Sequence, residues 1–263
     1  MNVYVMVDIE GISGIYDREQ VLPQDGKRFA EGRRYMTDEV NVCVRALKSA
    51  GVDKVYVYDC HGSSCTVIWE SLTDEADYYI CGSHDGGRMP GIEDCDAVIL
   101  LGYHAMAGTK GAVLEHTFSS TSIQNLYLNG EKIGEIGIDA AIAGEKGKKV
   151  IMVSGDDKAC AEAEKLLPDV VTCQVKRGMN SFGAMLLPRE KAHRLLSEKT
   201  VMAVKNAEKA APFQAGKPAE LRVELTERQL LPKHSVDSSM KILDGRSYLV
   251  TADTVEEAFH KAL

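Results

Sequence analysis

The chain has 263 residues, 44% of them hydrophobic and 27% charged, enough apolar material for one large core or two modest ones. A net charge of −8 with no cluster of Lys or Arg argues against a nucleic-acid backbone as partner. Seven cysteines stand singly with no C-x-x-C pair, and no apolar run approaches the roughly 18 residues of a membrane span. No basic stretch precedes the first apolar run, and Asp8 and Glu10 would interrupt any signal sequence there. The expectation is a soluble cytoplasmic protein with no nucleic-acid and no membrane partner.

Residues 2–8 (NVYVMVD) read as a buried strand, followed by a helical pattern from about 31 to 50 with Gly51 as its C-terminal cap. Strands are expected at 52–59, 77–83 and 96–104. The unbroken apolar run Ala97–Leu101, set among helical patterns, marks a buried and largely parallel sheet. Residues 123–135 instead read as two short strands around Asn129-Gly130, a strong hairpin signal. A helix at 135–146, a strand at 148–156, a helix at 156–167 with an acidic first turn, and a strand at 169–176 complete the alternation. Beyond Pro188 come an amphipathic helix, an alternating strand at 219–226, and a closing helix in which Thr254 and Glu257 are spaced as a capping box. The fold class is therefore α/β, a mostly parallel sheet with flanking helices in three layers, plus a smaller C-terminal α+β extension. The division expected is 1–180 for the main α/β domain and 181–263 for the extension, with a boundary soft enough for one integrated domain.

Open parallel sheets place their ligand sites at the C-terminal ends of strands. Those ends carry Asp8 and Glu10, then Asp59 and His61, then His104. Asp8 and Glu10 point to the same side, and two like charges buried side by side need a cation or a shared proton. A lone His after a strand is more often a hydrogen-bonded loop residue, and a lone carboxylate more often a helix cap. Convergence at three strand ends favours a metal site built from N/O donors that suit Zn²⁺, Mn²⁺ or Co²⁺. His116, beyond the Gly-containing loop AMAGTKGAVLE, is either a solvated loop residue or an acid/base group carried by a mobile loop. Glu135 and Asp139, one turn apart, share a helix face, and dipole complementation alone would account for Glu135. Cys60 reads as a packed thiol, and SGDD (154–157) as helix capping.

VDIEGISG, DCHGSS, LLGYHAMAG with a His twelve residues on, NGEKIGEIGIDAA, IMVSGDD, VTCQVKRG and LLPREKA occur in that order. Together they resemble the D-aminopeptidase family (peptidase family M55) over most of the first 200 residues. The resemblance implies a dinuclear zinc peptidase with Asp8, Glu10, His61, His104 and Glu135 as metal ligands and His116 as the catalytic residue. It further implies two zinc ions per chain, small peptides with an N-terminal D-residue as substrates, and a homodecamer of two pentameric rings. Two rivals are weighed. A dinuclear phosphoesterase would want Arg or Lys near the site, and the motif stretches supply none closer than Lys110. A non-catalytic metal- or metabolite-binding protein would have no use for a loop histidine.

Overall fold

The computed structural model describes residues 1–23, 27–85, 87–232 and 238–263. In chain order the elements are β1 (Asn2–Val7), α1 (Phe29–Ser49), β2 (Lys54–Asp59), β3 (Tyr78–Ile80), β4 (Ala97–Tyr103), β5 (Ile123–Leu128), β6 (Glu131–Ile133) and α2 (Glu135–Glu145). They continue as β7 (Lys149–Asp156), α3 (Asp157–Leu166), β8 (Val171–Asn180), β9 (Gly183–Leu186), α4 (Arg189–Asn206), β10 (Ala219–Leu225), β11 (Met240–Ile242), β12 (Ser247–Ala252) and α5 (Val255–Ala262). The first sheet has seven strands in the order β3-β2-β1-β4-β7-β8-β9, all parallel except β9. The second has five antiparallel strands in the order β11-β12-β10-β5-β6. Strands from before and after residue 180 share both sheets.

Apolar patterning explains the layers. Every residue of β4 is buried, as a strand covered on both faces requires. Val3, Val5 and Val7 of β1 pack with α1 and α4 on one face. Tyr4 and Met6 point to the other, toward α2, α3 and the inner side of the second sheet. In β10 the side chains alternate, with Ala219, Leu221, Val223 and Leu225 inward and Glu220, Arg222 and Glu224 outward. The first ten residues of α2, from Glu135 to Gly144, are all buried, so this helix lies inside the protein rather than on it. Gly51 and the Asn129-Gly130 pair adopt the left-handed conformations expected of a helix end and a tight hairpin. Thr254 caps α5 by accepting the Glu257 N–H at 3.1 Å. Strands β9, β11 and β12 lay outside the sequence expectation.

Topology puts the site where it is. The chain steps from β1 outward to β2 and β3, then returns to place β4 on the other side of β1. The C-terminal ends of β1, β2 and β4 are therefore neighbours at the point where strand order reverses, the crevice of an open α/β sheet.

Candidate metal centre

The crevice is closed by main-chain contact. Gly11 N–H donates to Gly102 O at 2.7 Å, and a Cβ on Gly11 would stand 2.0 Å from Tyr103 O. Gly102 has φ +71°, and the β4–β7 register shifts between Leu100 and Tyr103. This irregularity redirects the chain just before His104. Beneath the loop after β1, the buried Lys176 of β8 donates from Nζ to Glu10 O (2.5 Å), Ile12 O (2.8 Å) and Ile15 O (2.8 Å).

The five expected ligands meet there. His61 Nε2 lies 3.5 Å from Glu10 Oε1, and His104 Nε2 lies 3.5 Å from Asp8 Oδ2 and 3.2 Å from Glu135 Oε1. Asp8, Glu10, His104 and Glu135 are all buried. Each histidine is oriented from behind. His104 Nδ1 pairs with Ala105 O at 3.0 Å and His61 Nδ1 with Thr66 Oγ1 at 3.0 Å, leaving both Nε2 atoms toward the carboxylates. Asp59 is not part of the cluster. Its carboxylate accepts from the backbone N–H groups of Thr66 and Val67 and so shapes the turn that presents His61.

His116 joins them from the loop after β4. Its ring stacks on His104 with centroids 4.0 Å apart and planes at 12°, its Nδ1 meets Leu114 O at 2.9 Å, and its Nε2 is 3.7 Å from Glu135 Oε1. A mobile loop was one expectation; the loop is instead pinned. Leu114 N–H reaches Ser181 O (2.9 Å), Val113 N–H reaches Asp156 Oδ2 (2.9 Å), and Ala107 N–H reaches Thr117 Oγ1 (3.1 Å). Phe118, at φ +58°, turns its N–H onto Glu135 Oε1 at 2.7 Å. Asp156 also caps α3 through the Lys158 and Ala159 N–H groups, which accounts for SGDD.

Electrostatics identifies what the cluster lacks. Burial and the neighbouring Glu10 push the Asp8 carboxyl well above its ordinary range. Burial pushes Glu10 and Glu135 upward too, but the histidines outweigh it, holding Glu10 well below the usual range and Glu135 at about 2. The carboxylates in turn overcome burial at the imidazoles, raising His61 to about 9 and holding His104 well above its ordinary range. The cluster thus gathers more buried negative charge than its own side chains neutralise without taking up protons or a cation. Glu10 Oε2 and His104 Nε2 are buried with no hydrogen-bond partner among the described residues, and such atoms are costly unless something ligates them. Donor atoms of Asp8, Glu10 and His104, and separately of His104, His116 and Glu135, lie within 4.8 Å of one another. These residues fit divalent metal, and the geometry gives His116 the reach of a ligand as well.

The cluster opens into a cavity of about 660 Å³, whose wall includes Arg18, Arg88, Cys60, Phe118 and Phe182. The Cys60 thiol is packed on Val7 O at 3.2 Å. Arg88 and Arg18 correct the sequence argument against a phosphoesterase, because cations do stand near the site. Neither lies in the motif stretches, and Arg88 is brought in from the loop between β3 and β4.

A parallel α/β sheet that gathers carboxylates and imidazoles at its switch point has the donor set of a divalent-metal protein. The D-aminopeptidase family model matches residues 1–262. A D-aminopeptidase of Bacillus subtilis (strain 168) is 37% identical over 215 residues, 81% of this chain and 77% of that protein. The Zn-dependent D-aminopeptidase DppA from Bacillus subtilis, a self-compartmentalizing protease, superposes with a TM-score of 0.94 at 32% identity, covering 100% of this chain and 95% of that one. The chain belongs to the D-aminopeptidase family (M55) and is a metallo-aminopeptidase. That membership favours peptide over phosphate-ester hydrolysis.

Proposed function

We propose a dinuclear zinc aminopeptidase that removes an N-terminal D-residue from small peptides of the D-Ala-D-Ala type. The observation that supports this most is the pair of facing subsites, Glu10 with His61 and His104 with Glu135, with Asp8 between them. Five N/O donors exceed what one tetrahedral zinc uses. Bound divalent ions would polarise the scissile carbonyl and bring the pKa of a water at the site toward about 7. Asp8, Glu10, His61, His104 and Glu135 hold the ions. His116 carries a proton on Nε2 to the leaving amine, while the Leu114 carbonyl fixes its Nδ1–H. Zinc and the D-substrate are named for the similar Bacillus protein and are carried over on family membership.

Self-association into two stacked pentameric rings follows the same reading. Exposed apolar residues on the β8–β9 hairpin, Met179, Phe182, Met185 and Leu186, support an assembly of copies. All seven cysteines are free, which suits a reducing cytoplasm. No helix among the described residues is long and apolar enough to cross a membrane.

Elemental analysis alongside a screen of matched L- and D-aminoacyl peptides tests the reading. We expect about two divalent ions per chain and preference for the D-series, with Asp8→Ala losing both ions and His61→Ala or His104→Ala chiefly one. At most one ion, unchanged by Asp8→Ala, would sink the dinuclear assignment. Cleavage of L-peptides alone would sink the stereochemical one.

A further inference from the structure

Arg88 is a constrained side chain with one edge left over. Its Nε donates to Asp139 Oδ1 at 2.9 Å and its Nη2 to Asp139 Oδ2 at 3.0 Å, a bidentate pair that consumes the side edge of the guanidinium. Tyr103 OH, bonded to Asp139 Oδ2 at 2.7 Å, holds the carboxylate in turn. Phe118 and Phe259 stand 5.1 and 5.8 Å from the guanidinium carbon and fix the tilt of the plane. The Arg88 backbone N–H is tied to Glu256 Oε1 of α5 at 3.0 Å.

What is left is the end edge, the two hydrogens of Nη1 and the second of Nη2, with no acceptor among the described residues. Arg88 lines the same cavity as the metal cluster, with its side chain 13% exposed. A guanidinium cannot shed its charge, so a fixed cation that presents its free edge to a cavity suits an anionic acceptor there. Carboxylate and phosphate both fit the fork. A peptide always carries the first, at the end opposite the amine that an aminopeptidase must recognise.

We propose that Arg88 receives the C-terminal carboxylate of the substrate, so that the site selects short peptides with a free α-carboxyl. The inference rests on the peptidase reading and names the substrate class within it. The metal cluster and Arg88 line one cavity, so the scissile bond and the carboxylate of one short peptide each have a charged partner within it. Asp139 and the two rings have already immobilised the guanidinium, so binding costs little further side-chain entropy. Longer chains, and chains blocked as amides, leave the edge unmet.

The test uses the metal-loaded wild-type enzyme and one dipeptide prepared both as free acid and as C-terminal amide. We expect the amide to lose about 10–100-fold in kcat/KM, chiefly through KM, the worth of a charge-assisted hydrogen bond. In Arg88→Met the ratio of acid to amide should fall toward one whatever the absolute rates, which a loss of packing alone would not produce. If that variant fails to fold, the wild-type pair of substrates still decides. Equal cleavage of acid and amide by the wild type overturns the inference and leaves the peptidase reading standing. Cleavage of neither overturns both.

Discussion

Glu135 and Asp139 sit one turn apart on α2, both buried, and their surroundings could hardly differ more. Asp139 has a bidentate arginine and a tyrosine hydroxyl. Glu135 has one backbone N–H and two histidine Nε2 atoms, all gathered at its single oxygen Oε1. The first carboxylate is complete within the chain and its role is to hold Arg88 and Tyr103 in place. The second is complete only when a cation arrives. Buried charge therefore reads as function when its partners are missing and as architecture when they are present.

The largest effect that sharpens this contrast is on the open side. His116→Ala should keep both metals yet lose roughly 10²–10⁴-fold in kcat with little change in KM, measured by steady-state kinetics beside metal analysis. A variant that drops a metal would make His116 a ligand, as its stacking on His104 also permits. On the closed side, Asp139→Ala should cost about 3–5 kcal/mol of stability by denaturant titration, because Arg88 is left charged and unpaired. Glu135→Ala in the metal-free protein should cost less, about 1–3 kcal/mol, since Phe118 loses an acceptor and the histidines lose the carboxylate they hold at about 2. Equal losses at the two positions would dissolve the comparison.

Lys176 belongs with Asp139, as a charge whose partners are all in the chain. Lys176→Met should cost about 1–3 kcal/mol for the three backbone carbonyls it leaves unmet. It should also loosen metal binding at Glu10, read by competition with a chelator.

The smallest effect comes from Glu162 of α3, whose Oε2 accepts the Met106 N–H at 2.8 Å while Oε1 has no partner among the described residues. Burial raises its carboxyl to about 7. A carboxyl with a raised pKa binds its proton more tightly when folded, so its cost is absent below the unfolded pKa and grows as pH rises toward 7. Glu162→Gln should flatten the stability profile between pH 4.5 and 7 and gain about 1–2 kcal/mol at pH 8. Parallel pH profiles for the two proteins would refute it.

The contrast between the two carboxylates also marks the limit of what the sequence discloses. Asp8, Glu10, His61 and His104 were legible because strand ends converge by topology and apolar runs betray strands. Glu135 was not separable from an ordinary first-turn carboxylate without the family resemblance. Arg88 was invisible, because it stands in a loop without periodicity and its partner Asp139 is 51 residues away. Lys176 read only as the end of a strand, since nothing local shows that three carbonyls of a distant loop converge on it. The short strands β11 and β12 were missed because sheet pairing, rather than local composition, defines them.

The glycine contact between β1 and β4 has a consequence for how this enzyme could diversify. Main chain meets main chain at Gly11 and Gly102, so the spacing of the metal-holding strand ends is set by backbone alone. Much of the cavity wall is assembled separately, from the segment 118–121, the hairpin tip at 181–182 and the loop carrying Arg88. A lineage can therefore exchange the wall, and with it the peptides admitted, while inheriting the reactive centre unchanged. An engineer seeking new selectivity has the same licence: rewrite Phe118 and Phe182, and leave the glycines alone.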